Sequence, residues 1–166
     1  MIALVRVDNR LVHGQILEAW MPRLRATALV VADDDAARSP LARAAMTLAV
    51  PPDVPVTIQP LAEVDWAGLA AADRSVLVLV RDVADLERAV GLGLTPQRGP
   101  RINLGNVHFA NGRIPITPLV YLSAAELEAV RALRSAGFEV EARAVPAESP
   151  IGLEEIERRY QQATRR

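Results

Sequence analysis

Ten consecutive residues, Arg6-Val7-Asp8-Asn9-Arg10-Leu11-Val12-His13-Gly14-Gln15, bring together two guanidinium groups, one carboxylate, two amides and one imidazole. An imidazole is a nucleophile that can take up a phosphoryl group and give it away again. Arginine neutralises the oxygens of a group in transfer, so Arg10 or Arg6 would act as the electrostatic clamp. A carboxylate such as Asp8 orients a histidine ring or an arginine, as the acid of a catalytic triad does. These residue types point to a phosphoryl carrier or a phosphate-binding site with His13 at its centre. The plainer alternative is a histidine that caps a helix through one structural hydrogen bond. The company of Asp8, Asn9, Arg10 and Gln15 favours chemistry.

The flanking residues explain how such a cluster is presented. Residues 2–7 form a short apolar run that reads as a strand. Ile16, Leu17, Trp20 and Leu24 recur with helical spacing, which predicts a helix over 13–24. The cluster therefore sits on a strand-to-helix turn. In parallel α/β folds that turn lies at the carboxyl end of the sheet, and the backbone amides near Gly14 would offer an anion both donors and a favourable dipole.

The rest of the chain alternates in the same way. Strands are expected at 28–32, 54–58, 75–80, 101–104 and 138–145, and helices at 40–49, 61–72 and 83–92. The run at 75–80, SVLVLV, is continuously apolar, as in a strand covered on both faces. Residues 114–122 are extended but interrupted by Pro115 and Pro118, which suits a sheet edge and leaves an aliphatic strip for a possible homodimer. Ser123-Ala124-Ala125-Glu126 is a capping box opening a helix that runs through Ser135 and stops at Gly137. Ser149-Pro150 would cap a last helix carrying Leu153, Ile156 and Tyr160 on one face. The expected architecture is one α/β domain spanning 1–166: a three-layer, mostly parallel, doubly wound sheet flanked by helices, with an antiparallel edge strand. The loops that begin at Asp8, Asp33, Arg81 and Gly105 should then converge on one edge.

Composition narrows the chemistry. All 19 basic residues among the 166 are arginine, so Schiff-base lysine chemistry and a P-loop lysine are excluded. Cysteine is absent, which removes disulfides, thiolate nucleophiles and thiolate zinc sites. His13 and His108 are the two imidazoles, so a histidine-rich metal centre is not expected, nor is any organic cofactor. The net charge of −1 offers nothing to nucleic acid. No apolar run reaches the roughly 20 residues of a membrane span, and charged residues interrupt the first one, so a cytoplasmic location is expected. Neither a G-x-G-x-x-G turn after the first strand nor a G-x-S-x-G elbow is present. Asp33-Asp34-Asp35 could hold magnesium, but a turn that caps the 40–49 helix or pairs with arginines across the cleft is the preferred reading. Asn103-Leu104-Gly105-Asn106 either contacts the site or is a tight turn, with His108 on or just beyond it. Trp20 and Met21 read as core.

The decapeptide followed by Trp20 resembles the opening motif of the IIB component of the mannose/fructose/sorbose family of the bacterial sugar phosphotransferase system. The resemblance continues through Val31-Ala32-Asp33-Asp34, Met46…Ala49…Pro51-Pro52, Ile102-Asn103-Leu104-Gly105, and the segment from Gly137 to Arg143 that ends at Val145-Pro146. It implies a helix-flanked parallel sheet and an activity. A phosphorylated IIA protein would donate its phosphoryl group to the histidine that maps onto His13, at Nδ1. The group would pass on to a sugar entering through the membrane components IIC and IID, with which the protein would associate peripherally. Asp8, Asn9 and Arg10 match the family's acid-to-arginine run, although many members carry a second aspartate where this chain has Asn9. Asp8 and Gln15 would order the loop. A regulatory phosphocarrier without sugar transport is the alternative, and a small-molecule phosphate-binding protein on the same fold is a third reading.

Overall fold

The computed structural model describes residues 1–97 and 100–166. Seven strands form one sheet in the order β3-β2-β4-β1-β5-β8-β9. They are β1 (Ile2–Asp8), β2 (Ala28–Ala32), β3 (Val56–Gln59), β4 (Val76–Val80), β5 (Arg101–Asn106), β8 (Val140–Ala142) and β9 (Ile151–Gly152). The strands from β3 to β8 pair in parallel, and β9 closes one edge antiparallel to β8. Every residue of β2 and β4 is buried, which is why those runs are continuously apolar rather than alternating.

Helices cover both faces. On one face Leu4, Leu29, Val31, Leu77 and Leu79 pack with Leu11, Ile16, Trp20 and Met21 from the first crossover, and with Ala36 of α2 (Asp34–Arg38). Met46 of α3 (Pro40–Ala49) packs against the same cluster. On the other face Val5, Val7, Val78 and Leu104 pack with α4 (Trp66–Ala71), α5 (Val83–Gly91), α6 (Ala124–Ser135) and α7 (Leu153–Thr164) through Trp66, Leu86, Val130 and Ile156. The chain leaves β1 toward β2 on one side and leaves β5 toward β8 on the other. That reversal opens a crevice at the carboxyl ends of β1 and β5, where a doubly wound sheet receives ligands.

Several local expectations need correction. Helical turns run over residues 14–24, but Ile16–Trp20 is a π-helical turn, with the Met21 amide bonded to the Ile16 carbonyl, and only α1 (Met21–Leu24) is regular. The wide turn sits just before Pro22, whose missing N–H and bulky ring disturb a regular ladder. The helix expected at 61–72 is split into a 3₁₀ turn (Leu61–Glu63) and α4, because the Asp65 side chain caps α4 by accepting from Gly68. Residues 114–122 are not an edge of the main sheet. β6 (Ile114–Thr117) and β7 (Val120–Leu122) pair with each other instead. Val107, just beyond β5, fastens this hairpin through bonds to Leu119 and Tyr121. The 114–122 strip thus forms its own two-stranded sheet, and the antiparallel edge of the main sheet is β9. Pro150 does not open the last helix, because Ile151 and Gly152 are drawn into β9 and Gly152 becomes the N-cap of α7.

The capping box at Ser123 and Glu126 is formed in both directions. At the other end of α6 the Phe138 amide bonds back to Leu133 and the Gly137 amide to Arg134, with Gly137 at φ +101. This double closure needs a left-handed residue, and it turns the chain into β8. Gly137→Ala should therefore lower stability by about 1–2 kcal/mol in urea unfolding. An unchanged midpoint would show that the closure is dispensable.

Candidate functional site

The loop after β1 is built around Asp8. Its side chain accepts from the Arg10 amide at 3.0 Å, and its carbonyl accepts from the Leu11 amide at 2.9 Å. Leu11 takes a left-handed conformation at φ 55, unusual for a residue with a side chain, and its buried side chain in the core holds it there. The Asn9 amide bonds to Asn106 at the end of β5, and the Asn9 carbonyl accepts from Arg81 at the end of β4. The turn is thereby tied to both neighbouring strands before the chain enters its helix.

Asp8 itself is fully buried, and its Oδ2 faces three nitrogens. Arg6 reaches it with Nε at 3.1 Å and Nη2 at 3.0 Å, and His13 Nε2 lies 2.8 Å away. Burial pushes the Asp8 carboxyl upward. The His13 hydrogen bond, the Arg6 charge and the Arg10 amide more than offset this, so Asp8 is held below the ordinary carboxylate value. Arg6 is also fully buried. Burial pulls its guanidinium below the usual value against the opposing pull of Asp8. Arg6 lies beneath the surface and cannot meet a phosphoryl group directly. His13 and Arg10 can, with side chains 16% and 44% exposed. Arg10 Nε stands 3.5 Å from Asp8 Oδ1, and its Nη2 makes a long 3.4 Å bond to Gln15. Gly14 and Gln15 are exposed, and their amides belong to the first helical turn, where N–H groups lack intrahelical acceptors.

Behind Asp8 a row of polar groups crosses three adjacent strands. The register aligns Arg6 with Asn103 and Asn103 with Glu141. Arg6 Nη1 donates to Asn103 Oδ1 at 2.6 Å, Asn103 Nδ2 donates to Glu141 at 3.3 Å, and Arg143 Nε donates to Glu141 at 2.9 Å. Trp20 forms the floor. The Arg6 and Arg143 guanidinium carbons lie 5.0 and 5.3 Å from the centre of its ring, and its Nε1 donates to the Ala144 carbonyl. Trp20 and Met21 are core residues as expected, but Trp20 also seats two cations.

The aspartate run serves as struts. Asp33 caps α2, not the helix at 40–49, which Ser39 caps, and it pairs with both arms of Arg81 at 2.8 Å. Burial raises the Asp33 carboxyl, and the Arg81 bonds together with the Ala36 amide bring it below the usual range. Asp34 accepts from Leu61 and Arg88. Among the described residues no group of three or more His, Asp or Glu is placed to hold a metal. His108 is exposed beyond β5, where its carbonyl accepts from Arg113 at 2.8 Å. Asn9 Oδ1 is buried and has no partner among the described residues. The pairing expected of the aspartate run with an arginine across the cleft is met by Asp33 and Arg81, whereas Glu141 and Arg143 are supports that the sequence analysis does not single out. Their signal in the sequence is a polar residue inside an otherwise buried strand, or just at its end.

The PTS system sorbose subfamily IIB component family matches residues 2–165. The chain is 33% identical over 153 residues to the N-acetylgalactosamine-specific phosphotransferase enzyme IIB component 2 of Escherichia coli K12, covering 92% of this chain and 96% of that one. It is 25% identical over 157 residues to the mannose-specific EIIAB component of the same organism, covering 93% of this chain and 48% of the longer protein. The fold superposes on the crystal structure of the IIBSor domain of the Klebsiella pneumoniae sorbose permease with a TM-score of 0.82 at 24% identity, covering 95% of this chain and 97% of that one. No helix among the described residues is long and apolar enough to cross a membrane.

Asp8 and Asp33 are among the carboxyls that folding depresses, and each contributes to how stability depends on acid. A group whose value is lowered by folding contributes stability above its unfolded value, about 3.9, and loses that contribution as pH falls through the folded value. Urea unfolding should show stability declining below about pH 4, with a shallower decline in Asp33→Asn. Identical slopes for the two proteins would remove Asp33 from this account.

Proposed function

This chain belongs to the sorbose subfamily of IIB components of the sugar phosphotransferase system, and from that premise we propose that His13 accepts a phosphoryl group at Nδ1 from a phosphohistidine on a IIA partner. Sugar arriving through IIC and IID receives the group next. The observation that carries this reading is the 2.8 Å contact between His13 Nε2 and the Asp8 carboxylate. With Nε2 occupied as a donor, the lone pair lies on Nδ1, the remaining nucleophilic atom of the ring.

The transfer balances without a metal. The Nδ1 lone pair forms the new N–P bond while the donor's N–P bond breaks and returns its electron pair to the donor ring. The Nε2 proton stays on His13, where Asp8 stabilises the positive ring that results. Arg10 meets the equatorial oxygens, and the Gly14 and Gln15 amides supply further donors. In the second transfer a sugar hydroxyl oxygen bonds to phosphorus, the Nδ1–P bond breaks, and its electrons return to His13. The hydroxyl proton leaves to a base outside this chain. Asp8 orients the ring, and Arg6 and Asn9 support the loop from below and from the side.

Incubation with a phosphorylated IIA protein should place acid-labile phosphate on the wild-type chain, and nitrogen-15 and phosphorus-31 spectra should assign it to Nδ1. His13→Ala should take no label. Arg10→Ala should be labelled on the order of 10²–10³ times more slowly. Label that persists in His13→Ala, or that sits on Nε2, would sink the assignment.

A further inference from the structure

Asn103 and Gly105 lie one strand away from the loop that bears His13, on the face of the sheet that carries Arg6 and Asp8. Gly105 leaves a space that Arg6 fills. A Cβ placed on Gly105 would fall directly on the Arg6 guanidinium. Asn103 Oδ1 takes Nη1 at 2.6 Å, the Arg143 carbonyl takes it at 3.3 Å, and the Trp20 ring lies alongside. With those positions filled, Nε and Nη2 both face Asp8 Oδ2. A buried guanidinium so tightly seated keeps its carboxylate partner ionised, because either charge alone would be costly there.

The ionic state of Asp8 decides where the histidine proton sits. A carboxylate can only accept, so the proton in the Asp8–His13 bond belongs to Nε2 and the lone pair to Nδ1. A neutral Asp8 would instead donate its own O–H to Nε2. The ring proton would then occupy Nδ1, and the nucleophilic atom would be blocked. We infer that Arg6, seated in the space left by Gly105 and anchored by Asn103, is a positioning residue for phosphoryl transfer that holds Asp8 as an acceptor and so fixes the His13 tautomer with its lone pair at Nδ1. This inference rests on the reading of His13 as phosphoryl acceptor, yet the tautomer can be measured without any donor.

The experiment compares nitrogen-15 histidine spectra at pH 8 and labelling rates with phosphorylated IIA in the full-length wild type, Arg6→Met, Arg6→Lys and Gly105→Ala, each first checked for cooperative melting. The wild type should show the Nε2–H tautomer. Arg6→Met should show a mixture enriched in Nδ1–H and transfer slower on the order of a hundredfold. Arg6→Lys keeps the charge and should retain the wild-type tautomer. Gly105→Ala keeps every charge and displaces only the guanidinium, so it remains informative if Arg6→Met does not fold, and it should follow Arg6→Met. A pure Nε2–H tautomer in whichever of these two folds, or wild-type transfer in a variant whose tautomer has shifted, overturns the inference. If wild-type protein takes no label from the donor, the proposed function fails, while the tautomer comparison still judges the role of Arg6.

Discussion

One oxygen atom, Oδ2 of Asp8, organises the site. It joins a guanidinium fixed inside the sheet to an imidazole at the surface. A carboxylate without exposure is costly unless its lone pairs are filled, and here both oxygens are used: Oδ2 by Arg6 and His13, Oδ1 by the Arg10 amide. The same side chain therefore closes the turn, compensates the buried arginine and orients the ring. No two of these roles can be separated by a small movement, because all three share one Cγ.

Much of the fold was legible because aliphatic runs of strand length alternate with amphipathic stretches of helix length. The runs at 28–32 and 75–80 became β2 and β4, and the Ser123 box became the cap of α6. What escaped was decided by competition between local and distant partners. Ile151 and Gly152 carry no strong strand signal, yet the open edge of β8 recruits them. The hairpin at 114–122 looked like an edge because its prolines forbid a central strand, but Val107 was the partner that settled its place. The centre of the site was readable from one decapeptide. Its support was not, since the alignment of Arg6, Asn103 and Glu141 depends on which strands become neighbours, and sequence spacing carries no record of that.

The geometry gives the amide residue Asn9 a meaning of its own. Its backbone ties β1 to β5 and to Arg81, while its side chain adds no charge. Arg6 and Arg10 against Asp8 leave the loop with a formal charge of one positive unit when His13 is neutral. An aspartate at position 9 would cancel it. The buried Asn9 oxygen also has no donor among the described residues, so a carboxylate there would meet desolvation without compensation. The amide therefore leaves the loop better matched to an incoming anion.

The central place of β1 has a further consequence. Val5 and Val7 are locked into the core on one face of the strand while Arg6 and Asp8 build the site on the other. Loosening the Arg6–Asp8 support would mean opening the middle of the sheet, among the last parts of such a domain to exchange with solvent. Recognition must then be borne by the groups exposed at the surface, chiefly the Arg10 side chain, and by whatever approaches. On the proposed assignment the site behaves as a fixed die, and the donor and recipient of the phosphoryl group would have to adapt to its shape.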